Sequence, residues 1–216
     1  MSDPSARHTD GARPTPRKKR SLFSLYAVLI VCAAPVVAAA LVYFLDWGPR
    51  GPGSNYGHLV EPQRPVPDAS QLQLTDLDGT PFDLRSLAGK WVMVTADSGA
   101  CGEECAKKLY IMRQTHASTG KNVARIERVW LILDDEPVPT MVIRAYEGTH
   151  MVRANAAQAA RFLALPADVS PGGPALRQHI WLIDPLGNQM LRFPENPDPT
   201  RLRKDIGKLL HASRIG

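Results

Sequence analysis

The chain has 216 residues, a formal net charge of +5 and three cysteines. This length predicts one modest domain with additional segments, and three cysteines are too few for a small fold held together by several disulfides. Much of the positive charge lies in one short run near the N-terminus, and basic residues are not interleaved with aromatic ones, so we expect no nucleic-acid partner.

The N-terminal part of the chain predicts a membrane anchor. Residues 1–20 are polar and lack apolar periodicity, which predicts a disordered cytoplasmic tail. Residues 22–45 carry no charge and are long enough to cross a bilayer core of about 30 Å. Because the basic run Arg17–Arg20 precedes this segment and only Arg50 follows it closely, the N-terminus is expected in the cytoplasm. These features predict a single-pass protein of a bacterial inner membrane with a periplasmic C-terminal domain.

A cleaved signal peptide is the alternative interpretation of the apolar segment. The segment is longer than the apolar region of a typical signal peptide, which reaches about 15 residues. It ends in the bulky sequence Tyr43-Phe44-Leu45-Asp46-Trp47 instead of a small-residue cleavage site. The uncleaved anchor is therefore favoured, with Cys32 as a small apolar residue inside it.

The rest of the chain divides into a linker and one domain. Residues 46–70 are dense in glycine and proline and predict a linker or an irregular arm. Predicted strands and helices then alternate over 71–216, which indicates an α/β domain with a sheet flanked by helices. The predicted strands are Leu72–Thr75, Trp91–Thr95, Arg128–Leu133, Ile180–Ile183 and Gln189–Phe193, and the predicted helices follow Cys101 or cover Thr140–Tyr146, Asn155–Leu165 and Thr200–Ala212.

Two cysteines form the chemically specific motif of the domain. Cys101 and Cys105 follow the strand Trp91–Thr95 across a turn of small residues and stand at the start of a predicted helix. Their spacing places both thiols on one helix face, about one turn apart. The helix N-terminus stabilises thiolates. The motif predicts a site for redox exchange or for a soft metal, and a purely structural disulfide is the alternative.

Charged residues surround this motif. Glu103 and Glu104 lie between the cysteines, where like charge raises the pKa of a thiol and attracts a cation. Lys107 and Lys108 follow Cys105, and helical spacing predicts that both lysines face solvent.

The order strand, dithiol, helix, strand, helix, hairpin and helix is that of the thioredoxin fold. The three-residue gap in Cys101-Gly-Glu-Glu-Cys105 resembles the Sco/SenC family of membrane-anchored copper proteins, whereas ordinary thioredoxins have a gap of two. The resemblance covers about 72–212 and implies a thioredoxin-like fold. Further segments similar to the family are Asp78-Gly79, Leu87-Ala-Gly89-Lys90, Asp134-Asp135-Glu136-Pro137 and Leu182-Ile183-Asp184-Pro185-Leu186-Gly187.

The resemblance also implies a metal. Sco-like proteins bind copper with two cysteines and one histidine that lies just ahead of the hairpin strand. Counted back from Asp184, the matching position is Leu176, and His179 stands three residues later. Soft thiolates and imidazole suit Cu(I), so the implied ligands are Cys101, Cys105 and His179. The remaining candidates are His116 and His150, with Met141, Met151 and Met190 as auxiliary ligands.

By this resemblance the protein serves assembly of a cytochrome c oxidase. It would deliver Cu(I), or reduce the copper-ligand cysteines of the oxidase with Cys101 as attacking thiolate and Cys105 as resolving thiol. Its partner is then a cytochrome oxidase subunit or another copper or thiol protein. Two alternatives stay open, namely a general thiol–disulfide oxidoreductase without metal and a non-catalytic binding module of thioredoxin fold.

Overall fold

The computed structural model describes residues 22–44, 55–167, 169, 173–213 and 215. The predicted cytoplasmic tail at 1–20 and residues 45–54 of the chain lie outside the described residues. The chain divides into two compact units, 1–51 and 52–216, which we describe separately.

The first unit contains one helix, α1 (Leu22–Phe44), with Pro35 inside it. Residues Leu22–Val42 of this helix are long and apolar enough to cross a membrane. Its large apolar side chains are exposed, as expected for a helix whose solvent is lipid. The helix coincides with the segment that the sequence predicts as a membrane span.

The second unit is built on an eight-stranded mixed sheet. The described strands lie in the order β1-β8-β7-β4-β5-β6-β2-β3. The central strands β4, β5 and β6 are parallel, and the flanking pairs are antiparallel. The strands are β1 (His58–Pro65), β2 (Leu74–Asp76), β3 (Pro81–Phe82), β4 (Trp91–Asp97), β5 (Ile126–Ile132), β6 (His150–Ala154), β7 (Ile180–Ile183) and β8 (Asn188–Arg192).

Helices cover both faces of this sheet. One face packs against α4 and against short 3₁₀ turns, including Gly173–Arg177, and the other packs against α2 and α5. The helices are α2 (Glu103–Ala117), α3 (Thr140–Ala145), α4 (Ala156–Phe162) and α5 (Pro199–Ala212).

Strand β4 lies at the centre of the domain, and all seven of its residues are buried. Its side chains alternate, so that Val92 and Val94 join the α4 face while Trp91 and Met93 join the α2 face. A strand covered on both faces requires an apolar side chain at almost every position. This requirement explains the uninterrupted apolar run that predicts the strand.

Local sequence signals set the ends of several elements. The Asn155 side chain accepts hydrogen bonds from two backbone N–H groups at the start of α4, and the Asp198 side chain caps α5 by accepting one from the backbone N–H of Arg201. In the β7–β8 turn, the Asp184 carboxylate accepts bonds from the backbone N–H groups of Leu186 and Asn188. The predicted helix cap and the predicted hairpin are therefore confirmed, as is the thioredoxin-like α/β fold class.

The linker prediction for 46–70 is wrong where it covers β1. This strand pairs with β8 at one edge of the sheet, with His58 opposite Arg192 and Pro65 opposite Asn188. Proline removes a backbone donor, which an edge strand tolerates on its unpaired side. Strand β6 has no counterpart among the predicted strands.

Candidate functional site

The turn between β4 and α2 places the two cysteines. Helix α2 begins at Glu103 with Gly102 as its N-cap, so Cys105 lies in its first turn and Cys101 precedes it. Cys101 has a positive φ of 44°, a conformation that costs energy for a residue with a Cβ. The expectation that both thiols belong to the helix is therefore wrong for Cys101.

Cys101 and Cys105 form a disulfide, with their Cα atoms 5.1 Å apart. Cys101 is 9% exposed and Cys105 is 2% exposed, so an incoming thiol reaches Cys101 more easily. Both residues pack in a cluster with Leu109, Trp130 and Tyr146. The role of Cys101 as the attacking thiolate stays a prediction.

A carboxylate and a glycine hold the turn that carries Cys101. The backbone N–H of Gly99 donates to Asp134 Oδ1 at 2.8 Å. A Cβ at Gly99 would lie 2.1 Å from the carbonyl oxygen of Glu136, so the two loops approach too closely for any side chain. Burial acts to raise the pKa of Asp134, but hydrogen bonds from Ser98, Gly99 and Glu136 outweigh it and lower that pKa. The ionised carboxylate thus anchors the turn.

Lys108 is buried, contrary to the prediction that it faces solvent. Its side chain is 6% exposed, and its Nζ lies 2.6 Å from Asp97 Oδ2. The ammonium group also donates to the carbonyl of Ala96 at 3.2 Å and to the carbonyl of Arg177. Burial lowers the pKa of Lys108, and the Asp97 carboxylate acts in the opposite direction. Lys107 has a half-exposed side chain, as expected.

The Lys108 ammonium joins three parts of the site. It connects the end of β4, helix α2 and the segment that leads to His179, because Arg177 lies two residues before that histidine. A lysine within a helix of mixed polarity carries no sequence signal for burial. The signal that could have identified the pair is Asp97, a charged residue at the end of a wholly buried strand.

His179 is buried immediately before β7, with 5% of its surface exposed. Its Nδ1–H donates to the carbonyl of Phe193 at 2.8 Å, and its ring meets Trp181 edge-on, with ring centroids 5.8 Å apart. Burial is the main cause that lowers the pKa of His179, so the ring is held in its neutral form.

The sequence of the domain matches a family of known proteins. A family model described as "Transmembrane-like, thioredoxin-like, C-terminal domain" matches residues 91–213, which is more than half of the chain. The chain belongs to this thioredoxin-like family. A search of curated protein sequences found no significant match.

Solved structures share the fold of the thioredoxin-like domain. Yeast Sco1 is 15% identical with a TM-score of 0.51, covering 69% of this chain and 99% of its own. The solution structure of apo Sco1 from Thermus thermophilus is 17% identical with a TM-score of 0.51, covering 75% of this chain and 99% of its own. Yeast Sco1 with copper bound is 15% identical with a TM-score of 0.50, and the match covers 74% of this chain and 90% of yeast Sco1. These likenesses confirm the predicted Sco-like fold.

The thioredoxin-like domain does not bring the implied copper ligands together in this disulfide-bonded form. Within the described part of the chain, no group of three or more His, Cys, Asp and Glu side chains is arranged to hold a metal ion. Leu176, at the position of the Sco histidine, is fully buried among apolar residues on the α4 face.

The other candidate histidines are engaged elsewhere, and the candidate methionines differ in their surroundings. His150 lies 3.4 Å from a Glu127 carboxylate oxygen, and His116 Nε2 lies 3.1 Å from the carbonyl of Val123. Met141 is 79% exposed on α3, whereas Met151 packs in the cluster that contains the two cysteines. Met151 is therefore the methionine that the fold places with the dithiol.

Proposed function

We propose that the protein is a membrane-anchored thiol–disulfide exchange protein that works on the extracytoplasmic side of a bacterial inner membrane. The observation that carries the proposal is the Cys101–Cys105 disulfide at a strand–turn–helix junction, with Cys101 as the more exposed of the two residues. The orientation rests on the basic run Arg17–Arg20 ahead of the apolar helix.

In the reducing direction, the Cys101 thiolate attacks a sulfur of a partner disulfide. A mixed disulfide forms, and the partner's second sulfur leaves as a thiolate that takes up a proton. The Cys105 thiol then loses its proton and attacks Cys101, which breaks the mixed disulfide and releases the partner as a dithiol. The protein ends as the Cys101–Cys105 disulfide seen in the structure. Two electrons pass to the partner in this sequence.

The surroundings of the dithiol favour this exchange. The anchored turn fixes the backbone just before Cys101, and Cys105 lies in the first turn of α2, where helix N–H groups stabilise a thiolate. As substrate, the Sco resemblance favours the copper-ligand cysteine pair of a cytochrome oxidase subunit. A test of the proposal therefore uses the full chain in its own membrane.

The experiment traps the mixed disulfide in cells. In a Cys32→Ser background, Cys105→Ser removes the resolving thiol and leaves Cys101 to capture a partner. We expect a dithiothreitol-sensitive adduct in this variant and a much weaker one in Cys101→Ser, because Cys105 is almost completely buried. A structural disulfide predicts no adduct in either variant and full function in the double variant, which would refute exchange.

Copper(I) binding by the reduced protein is a second candidate function, favoured by the hydrogen bond of His179. Histidines that bind metals commonly donate their other ring N–H to a carbonyl, and His179 Nδ1–H donates to Phe193. The neutral, buried ring keeps the lone pair of Nε2, as a ligand requires. Two thiolates and this imidazole are a donor set that suits Cu(I).

Anaerobic titration of the reduced protein with Cu(I) tests this candidate. Tight one-to-one binding that weakens in His179→Ala and persists in His150→Ala would support a Cys101, Cys105 and His179 site. The control histidine is matched because its ring already pairs with Glu127 on another part of the sheet. Absence of binding by the reduced, folded protein would refute copper binding and leave thiol exchange unaffected.

A further inference from the structure

A cleft on the α4 side of the domain carries two arginines that the dithiol chemistry does not use. The cleft has a volume of about 670 Å³, and its walls come from β1, the segment after it, and α4. Arg64 and Arg161 supply its charge, and Phe162 forms its apolar floor. We call this site the arginine cleft. Phe162 packs on the opposite sheet face from the two cysteines.

Both guanidinium groups lack a carboxylate partner within the part of the chain that the structure describes. The lining of the cleft also contains no acidic residue. Asp68 is the nearby acidic residue in the segment after β1, and it is paired with Arg85 instead. The charge of the cleft is therefore positive and uncompensated.

Neutral hydrogen-bond donors accompany the two arginines. Gln63, Ser70, Gln71 and Gln158 line the same cleft. The Oε1 atom of Gln158 accepts a bond from the backbone N–H of Gln73 at 2.8 Å, which leaves its NH₂ group to donate elsewhere. Guanidinium and amide N–H groups together match the oxygens of a phosphate or carboxylate.

A second cleft adjoins the first and shares both arginines. Its volume is about 500 Å³, and its remaining lining is apolar. Arg64 and Arg161 thus lie between a polar cleft and an apolar one. The apolar lining consists of Ala157, Ala160, Leu163, Leu165, Pro166, Ala167 and Val169.

We propose that the arginine cleft and the adjoining apolar cleft together bind an organic anion, whose phosphate or carboxylate group pairs with Arg64 and Arg161 and whose apolar body lies along Leu165 in the apolar cleft. The two adjoining clefts together offer an apolar wall and several polar groups, a combination typical of small-molecule binding sites. Arg161 lies in the last turn of α4, where the helix dipole favours a cation, and this position alone could explain an arginine there. The same explanation does not apply to Arg64, which lies in a strand at the sheet edge.

Equilibrium dialysis of phenyl phosphate tests the proposal with the full chain in phosphatidylcholine nanodiscs. The test variant is Arg64→Gln/Arg161→Gln, and the control Arg144→Gln/Arg203→Gln removes two exposed arginines outside the cleft. Both variants lower the net charge equally. Loss of two charge-assisted hydrogen bonds should raise the dissociation constant about tenfold or more in the test variant and leave the control unchanged.

Three results would overturn the proposal: no binding to the wild-type chain, equal weakening in both double variants, or inorganic phosphate binding as tightly as phenyl phosphate. Nanodiscs containing phosphatidylglycerol then identify the source of the anion. If phosphatidylglycerol competes with phenyl phosphate for the wild-type chain but not for the test variant, the natural ligand is a lipid headgroup. If phenyl phosphate binding is unchanged by phosphatidylglycerol, the natural ligand is a soluble anion. The cysteines take no part, so failure here leaves the proposed thiol exchange intact.

Discussion

Replacing Lys108 with methionine tests the buried ion pair beside the dithiol. The substitution removes the ammonium group but keeps an apolar side chain of similar length. Asp97, whose side chain is 12% exposed, then stays buried without its cation, and the carbonyls of Ala96 and Arg177 lose a donor. Removing one partner of a buried pair typically costs about 3–5 kcal/mol, so we expect the free energy of unfolding to fall by that amount.

The measurement is urea unfolding of the disulfide-bonded domain, followed by tryptophan fluorescence. Lys107→Met is the matched control, because Lys107 is the neighbouring residue, its side chain is 50% exposed and its Nζ contacts the exposed Asn196 at 3.0 Å. A surface change of this kind should alter the free energy of unfolding by less than about 0.5 kcal/mol. Equal stability of the two variants would refute the argument from burial.

A double variant separates the lost cation from the lost packing. In Asp97→Leu/Lys108→Met both charges are gone, so no unpaired carboxylate is left in the interior. Apolar pairs can replace buried ion pairs at little cost, and we expect the double variant to recover most of the stability that Lys108→Met loses. Equal or greater loss in the double variant would show that packing, and not the isolated carboxylate, causes the effect.

Three further predictions concern other contacts. Gly99→Ala places a Cβ 2.1 Å from the Glu136 carbonyl, and we expect a loss of about 1–3 kcal/mol in urea unfolding, with Gly102→Ala, which meets no atom within 4 Å, as control. Burial lowers the pKa of His179 from 6.5, so below pH 6.5 the unfolded chain binds more protons than the folded chain. The free energy of unfolding should therefore be full above pH 6.5 and decline as the pH falls below it. The decline should be smaller in His179→Gln. Asn155→Ala removes the cap of α4 and should lower the thermal midpoint, at a cost of about 1 kcal/mol.

The central fold could be predicted because its signals are local. The apolar run that begins at Trp91 predicts a strand buried on both faces. Asn155 predicts the start of a helix, and Asp184 with Gly187 predicts a hairpin turn. Edge strand β1 could not be predicted in the same way. Its pairing with β8 depends on a partner about 130 residues away, and its two prolines resemble those of a linker.

The candidate site could be predicted only in part, because some of its contacts join residues that are distant in the sequence. The dithiol motif is contiguous, so its strand–turn–helix setting follows from spacing. The burial of Lys108 depends on Asp97 across the turn and on the Arg177 carbonyl from a distant segment. The arginine cleft likewise joins β1 to α4, and no pattern in the sequence links Arg64 with Arg161.

The pairing of β1 with β8 has a consequence for how the domain is made. Among the described strands, β1 is the first to be synthesised, and it can pair only after β8, the last, has appeared, because His58 lies opposite Arg192. Until then, β1 remains an unpaired segment next to a growing sheet, and contacts of such long sequence separation slow folding. The Cys101–Cys105 bond spans four positions and closes locally. The Cys101–Cys105 disulfide can therefore form on the nascent chain before the sheet around it is complete.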